Sequence, residues 1–220
     1  MTQTDIIQKT ARFVRSEFER DSSGHDWWHI YRVWKNALTI CQHESADRFT
    51  VELAALLHDL DDWKLAPEND GTPVRAQAWM QELGVEAAVS ASVCEIIQHL
   101  SFKGAQVENK INTIEGMIVQ DADRLDAIGA IGIGRAFAYG GHKGRLMYDP
   151  ESPPEMHVSF EQYKNSQSAT INHFHEKLFL LKERMNTNTA RRIAEQRHAF
   201  MQEFVDRFMA EWDGEDFTGN

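Results

Sequence analysis

At 220 residues, 42% hydrophobic and 26% charged, the chain can bury a substantial core, and its make-up is that of one large globular domain rather than two. A formal net charge of −11 argues against binding along a nucleic-acid backbone, which needs a basic surface. It leaves a small anionic substrate open, because a bound cation and a few local bases can reverse the sign inside one pocket. No run approaches the ~20 apolar residues of a membrane helix.

Helical periodicity runs through almost the whole chain. Residues 4–20 carry Ile6, Ile7, Phe13, Val14 and Phe18 with charges between them, and Asp21-Ser22-Ser23-Gly24 breaks the pattern. The next helix is expected over 26–45, with Asp26 as its N-cap and His29, Val33, Asn36, Ala37 and Ile40 on one face. Thr50 can cap a third helix that ends near Asp62. After a loop at 66–71, Thr72-Pro73 reads as an N-cap and first-turn proline, and Gly84 closes that helix. A fifth helix covers 85–100. A polar loop, 101–112, leads to a long helix over 113–139.

Residues 140–158, rich in glycine and proline, form the one long irregular stretch, and loops of that length are often functional lids. Ser159 with Gln162 fits a capping box for a helix to Met185. A last amphipathic helix covers 189–212, with Ile193, Phe200, Phe204 and Phe208 on its apolar stripe. No strand alternation, repeat or linker interrupts this pattern. The expected class is therefore all-α, in a single domain spanning 1–220. Met1-Thr2-Gln3-Thr4-Asp5 lacks the basic and apolar regions of a signal peptide. Cys41 and Cys94, on different predicted helices, read as two buried thiols in a reducing, cytoplasmic setting.

Chemistry concentrates where the third helix ends, at Leu56-Leu57-His58-Asp59-Leu60-Asp61-Asp62. A His and an Asp side by side at the close of an apolar run need compensation, because burying unpaired polar groups is costly. A divalent cation would compensate both. Asp123 and Asp126 pose the same problem inside an apolar helix, three residues apart on one face. With His29 on the second helix, the two His nitrogens of His29 and His58 and the two Asp oxygens of Asp59 and Asp123 would make a mixed site suited to Mn²⁺, Fe²⁺, Co²⁺ or Mg²⁺ rather than a closed thiolate zinc site. Taken alone, any single His here is more often a cap, a surface group or a satisfied core group, a reading that is weaker for Asp123 and Asp126 between Ile114, Met117, Ile118, Val119 and Ile128, Ile131, Ile133.

The ordered set His29, then His58-Asp59, then Asp123 in Ala122-Asp123-Arg124-Leu125 resembles the HD-domain superfamily of metal-dependent phosphohydrolases. The motifs cover about residues 20–130, and the remainder is similar to the small stand-alone bacterial members. The resemblance implies an HD-type helical bundle with additional C-terminal helices, and His29, His58, Asp59 and Asp123 as metal ligands. Asp62 matches the acid that activates or positions water in several relatives, Arg124 a basic position that touches phosphate, and Asp126 a polar position lining the site. Two-metal relatives carry two further histidines between the His-Asp pair and the last Asp. Only His99 lies in that interval here, which implies one divalent ion, Mn²⁺ first, with Mg²⁺, Co²⁺, Fe²⁺ or Ni²⁺ as alternatives. His99 is left for substrate or outer contacts.

Arg32, three residues past His29, could bind phosphate or orient a ligand. Lys64, Lys103, Lys143 and Arg145 could approach the pocket, although a solvated surface charge is the commoner role for each. Trp27 and Trp28 suit core packing or a pocket wall, and Gly129, Gly132 and Gly134 suit close helix contact better than a phosphate loop. The implied substrate is a small phosphorylated molecule, foremost a nucleoside triphosphate cleaved to monophosphate and pyrophosphate. A 5′-nucleotidase, a phosphodiesterase, an alarmone hydrolase and a non-catalytic regulatory module remain as alternatives. Neither nucleic acid nor membrane is an expected partner, and a homodimer stays open.

Overall fold

The computed structural model describes residues 1–19, 26–61, 72–100, 111–155 and 168–217, and among these the chain is helical with no strand. The chain divides into two compact units, Met1–Asp123 and Arg124–Asn220. No helix of the described residues is long and apolar enough to cross a membrane.

In the first unit, α1 (Gln3–Phe18), α2 (Trp27–Cys41), α3 (Arg48–Leu57), α4 (Val74–Glu82) and α5 (Ala87–Leu100) are followed by α6 (Ile114–Asp126), whose last turn runs into the second unit. The central helix is α3. Every residue from Phe49 to Leu57 is buried, and α3 packs against α1, α2 and α5. A helix whose residues are buried on every side has to sit in the middle of a core.

The caps follow local chemistry. Thr2 and Asp5 form a capping box at α1. Asp26 Oδ1 accepts from the His29 backbone N–H at 2.8 Å, as expected. Asp47, not Thr50, caps α3, accepting from the Phe49 and Thr50 amides at 3.3 and 3.1 Å. The Thr50 hydroxyl instead donates to Asp47. That helix stops at Leu57, so His58 is its C-cap and the following residues form turns. At α4 the expected Thr72 cap is not made. Pro73 holds the N-cap position with no side-chain bond.

The second unit holds α7 (Gly129–His142), α8 (Asn172–Glu176), a 3₁₀ helix (Leu178–Arg184) and α9 (Asn188–Asp213). The single helix expected over 113–139 is in fact two. Ile128 is extended, and Gly129 has φ +77°, a conformation that costs side-chain-bearing residues about 1–2 kcal/mol. A Cβ on Gly129 would also sit 2.9 Å from Arg197 Cγ. Arg197 clasps the break, donating from Nη1 to the Leu125 carbonyl at 2.5 Å. Gly132 is needed for a different close approach, to the Ala127 carbonyl, whereas Gly134 faces open space.

The proposed cap at Ser159 and Gln162 lies outside the described residues, but the described part of the expected 159–185 helix is broken into α8 and the 3₁₀ helix. Within 140–158, α7 continues to His142, and the irregular part begins at Lys143. That stretch is stitched back by bonds from the Thr170 and Ile171 amides to the Leu146 and Met147 carbonyls, each 2.9 Å.

Core packing in this unit is aromatic. Phe174 is fully buried, with the rings of Phe204, Phe179 and Phe137 at 5.9, 6.1 and 6.3 Å. The series continues through Phe208 to Trp212. Phe200, expected on the inner stripe of α9, is exposed, and Ala190, Ala194, Met201 and Val205 are buried instead. In the first unit Trp27 is buried as expected, but Trp28 is exposed. Cys41 and Cys94 are free and half-buried, not fully buried, and burial pushes both thiols up.

Burial, reinforced by the Lys177 and Arg145 cations, pushes His173 down to about 3. Between its ordinary value of 6.5 and that value, the unfolded chain takes up a proton here that the folded chain refuses. Stability therefore falls as pH falls through this window. Replacing His173 with Gln is expected to flatten the dependence of the urea midpoint on pH between 6 and 4. An unchanged slope would contradict the assignment.

Candidate metal centre

Two helix ends and one helix face build the site in the first unit. Asp26 caps α2 and so fixes the turn that carries His29, which is 2% exposed. The close of α3 presents His58 and Asp59, 9% and 5% exposed. Asp123 comes from α6, whose preceding carbonyl, that of Ala122, is held by Asn36 Nδ2 of α2 at 3.3 Å.

The four side chains converge. His29 Nε2 lies 3.5 Å from Asp59 Oδ2 and 3.5 Å from Asp123 Oδ1. His58 Nε2 lies 3.4 Å from Asp59 Oδ1, and the two imidazoles are 5.4 Å apart between centroids. One ligand-capable atom each from His29, His58 and Asp59 falls within 4.8 Å of the others. The Asp123 side chain is 43% exposed, so this flank opens outward.

His58 supplies the decisive detail. Its Nδ1 is 2.9 Å from the Ala55 carbonyl, which can only accept, so Nδ1 carries the proton. That leaves Nε2 as the lone-pair nitrogen, and it is buried with no hydrogen-bond partner among the described residues. An orphaned buried nitrogen is costly, and a backbone carbonyl behind the ring is the usual support for a metal-ligating histidine. A divalent cation among two imidazoles and two carboxylates satisfies both conditions, so the donor set fits a divalent metal.

Among the other candidates in this unit, Arg32 is half-buried on α2. His99, at the end of α5, lines a shallow cleft with Glu95, Ile96, Ile111, Asn112 and Thr113. Asp62, Lys64 and Lys103 lie outside the described residues. In the second unit Arg124 Nη1 donates to the Arg184 carbonyl. Asp126 is 1% exposed and pairs with Arg135, which also donates to the Asp126 carbonyl at 3.4 Å. Lys143 and Arg145 each stand 5.6 Å from the Tyr139 ring. Sequence reading missed Asp61, which is 2% exposed. Its partners lie 14 and 15 residues downstream, so no local pattern announces it.

Comparison with known proteins places this geometry. The HD domain model matches residues 27–128, and Bacillus subtilis YpgQ is 42% identical over 206 residues, 93% of each chain. The chain belongs to the HD-domain family. A Bacillus thuringiensis HD-superfamily hydrolase of known structure is 46% identical, with a TM-score of 0.79 over 96% of this chain and 99% of that one. YpgQ solved in complex with ADP superposes with a TM-score of 0.76, covering 96% of this chain and 100% of that chain at 37% identity. As an HD-domain protein, the chain is a metal-dependent hydrolase, and the family's divalent metal has a fitting donor cluster at His29, His58 and Asp59.

Proposed function

We propose that the protein hydrolyses a nucleoside triphosphate to the monophosphate and pyrophosphate, using one divalent ion, Mn²⁺ first, held by His29, His58, Asp59 and Asp123. The observation that carries the reading is the buried His58 Nε2, with no hydrogen-bond partner among the described residues, beside the His29 and Asp59 donors. Similarity to YpgQ, a protein solved with ADP, supports a nucleotide over other phosphate esters.

Such an ion, when bound, supplies Lewis acidity toward a phosphate oxygen and makes a water a better nucleophile near neutral pH. The protein's part is positioning. Ala55 holds His58 in one tautomer, and Asp26 and Asn36 fix the backbone at His29 and beside Asp123. Water oxygen bonds to the α-phosphorus, the bond to the α–β bridging oxygen breaks, and that oxygen leaves with pyrophosphate. Asp62 takes the water proton. Arg32 offsets charge on the transferred group, the electrostatic role that dominates phosphoryl transfer.

Phosphorus NMR of the purified protein with Mn²⁺ and nucleoside triphosphates tests this directly. Monophosphate and pyrophosphate in equal amounts are expected. Diphosphate with free phosphate, or no turnover of any triphosphate, would overturn it.

A further inference from the structure

In His58-Asp59-Leu60-Asp61 the two acids face different tasks. Asp59 turns to His29. Asp61 turns to the start of α4, where Oδ1 accepts from the Arg75 amide at 3.1 Å and Oδ2 from the Ala76 amide at 3.0 Å. Those are the second and third residues of α4, the amides that an N-cap side chain normally satisfies. Pro73 at the N-cap position makes no such bond, so a carboxylate from a remote turn caps the helix, with a charge that suits its positive end. Arg75 adds a return contact. Its Nη1 donates to the Leu60 carbonyl at 3.1 Å, and its Nη2 pairs with Glu17 of α1.

Both residues that follow Asp59 are thus tied to α4, and the residue before it is tied through Nδ1 to Ala55. The short turn bearing two metal-capable side chains is held from both ends.

We propose that Asp61 is a positioning residue for the His58-Asp59 pair: by capping α4 it fixes the turn in the geometry that the metal requires. The inference rests on the reading of the cluster as a metal site and extends it to a residue that touches no metal. A carboxylate serving only as a helix cap would affect stability and leave metal affinity alone, so affinity separates the two roles.

The test is titration calorimetry of the full chain with Mn²⁺, well below the unfolding temperature, together with visible absorption of the Co²⁺-loaded protein. Asp61→Ala is expected to weaken Mn²⁺ binding about tenfold, at the lower end of what outer supports of a metal site contribute, and to shift the Co²⁺ bands. Asp61→Asn, which keeps an acceptor for one amide, should fall between it and wild type. If Asp61→Ala does not fold, Asp61→Asn and Arg75→Met decide, and weakened binding is expected in both. Wild-type affinity and bands in folded variants would overturn the positioning role while leaving the metal site standing. A wild-type protein that binds no Mn²⁺ would overturn the metal reading and this inference with it.

Discussion

Replacing His58 and Asp59 together with alanine is expected to lower turnover by at least about 10²–10³-fold, the scale on which a preorganised electrostatic element contributes. It should also abolish the stabilisation conferred by Mn²⁺. In the wild-type protein, ligand at a hundred times its Kd adds about 2.7 kcal/mol to unfolding. The double variant should show none of this, because it loses the buried, unpartnered Nε2 and one of the two carboxylates facing His29. The quantity compared is the gain on adding Mn²⁺, so any loss of metal-free stability cancels. A variant that keeps the gain, or keeps its rate, would contradict the assignment.

Phe174→Ala should be the most damaging single core change, lowering the free energy of unfolding by about 3–5 kcal/mol. The ring is fully buried at the start of an aromatic series, within 6.3 Å of three other rings by centroid. Truncation would leave a cavity that rigid neighbours fill poorly, and it would remove stacking worth about 0.5–1.5 kcal/mol per pair. Phe174→Leu should lose less. Urea unfolding measures both, and a loss below about 1 kcal/mol for the alanine variant would show that the surrounding rings close the gap.

Much of the first unit was legible in the sequence because its signals are local. Asp26 three residues before His29 announces a cap, the apolar run Leu53-Ala54-Ala55-Leu56-Leu57 in α3 announces a central helix, and the order of His29, His58-Asp59 and Asp123 carries the family. What was not legible depends on distant partners. Asp61 looks like one more acid beside Asp59 and Asp62 until α4 is seen to start at its carboxylate. Asp126 looks like a pair for Asp123 on one helical face, yet it is bound by Arg135, nine residues on.

The break between α6 and α7 was missed because Ala127-Ile128 keeps the apolar rhythm of a helix. The extended Ile128, the positive φ of Gly129 and the grip of Arg197 on the Leu125 carbonyl mark where it stops. Residues 168–185 likewise keep helical periodicity, but competing bonds draw the chain elsewhere. Glu176 accepts from Ser168 and from the Glu155 amide, and Asn172 donates to the Ser152 carbonyl. Periodicity reports which side chains want burial, and it is silent about where tertiary hydrogen bonds interrupt the backbone.

The most direct test of the account is anomalous diffraction at the manganese edge from crystals grown with Mn²⁺. One anomalous peak per chain is expected, at the ~2.0–2.2 Å distances usual for nitrogen and carboxylate ligands of such ions, from His29 Nε2, His58 Nε2 and the carboxylates of Asp59 and Asp123. No peak at these four side chains, or a peak held by other residues alone, would contradict it.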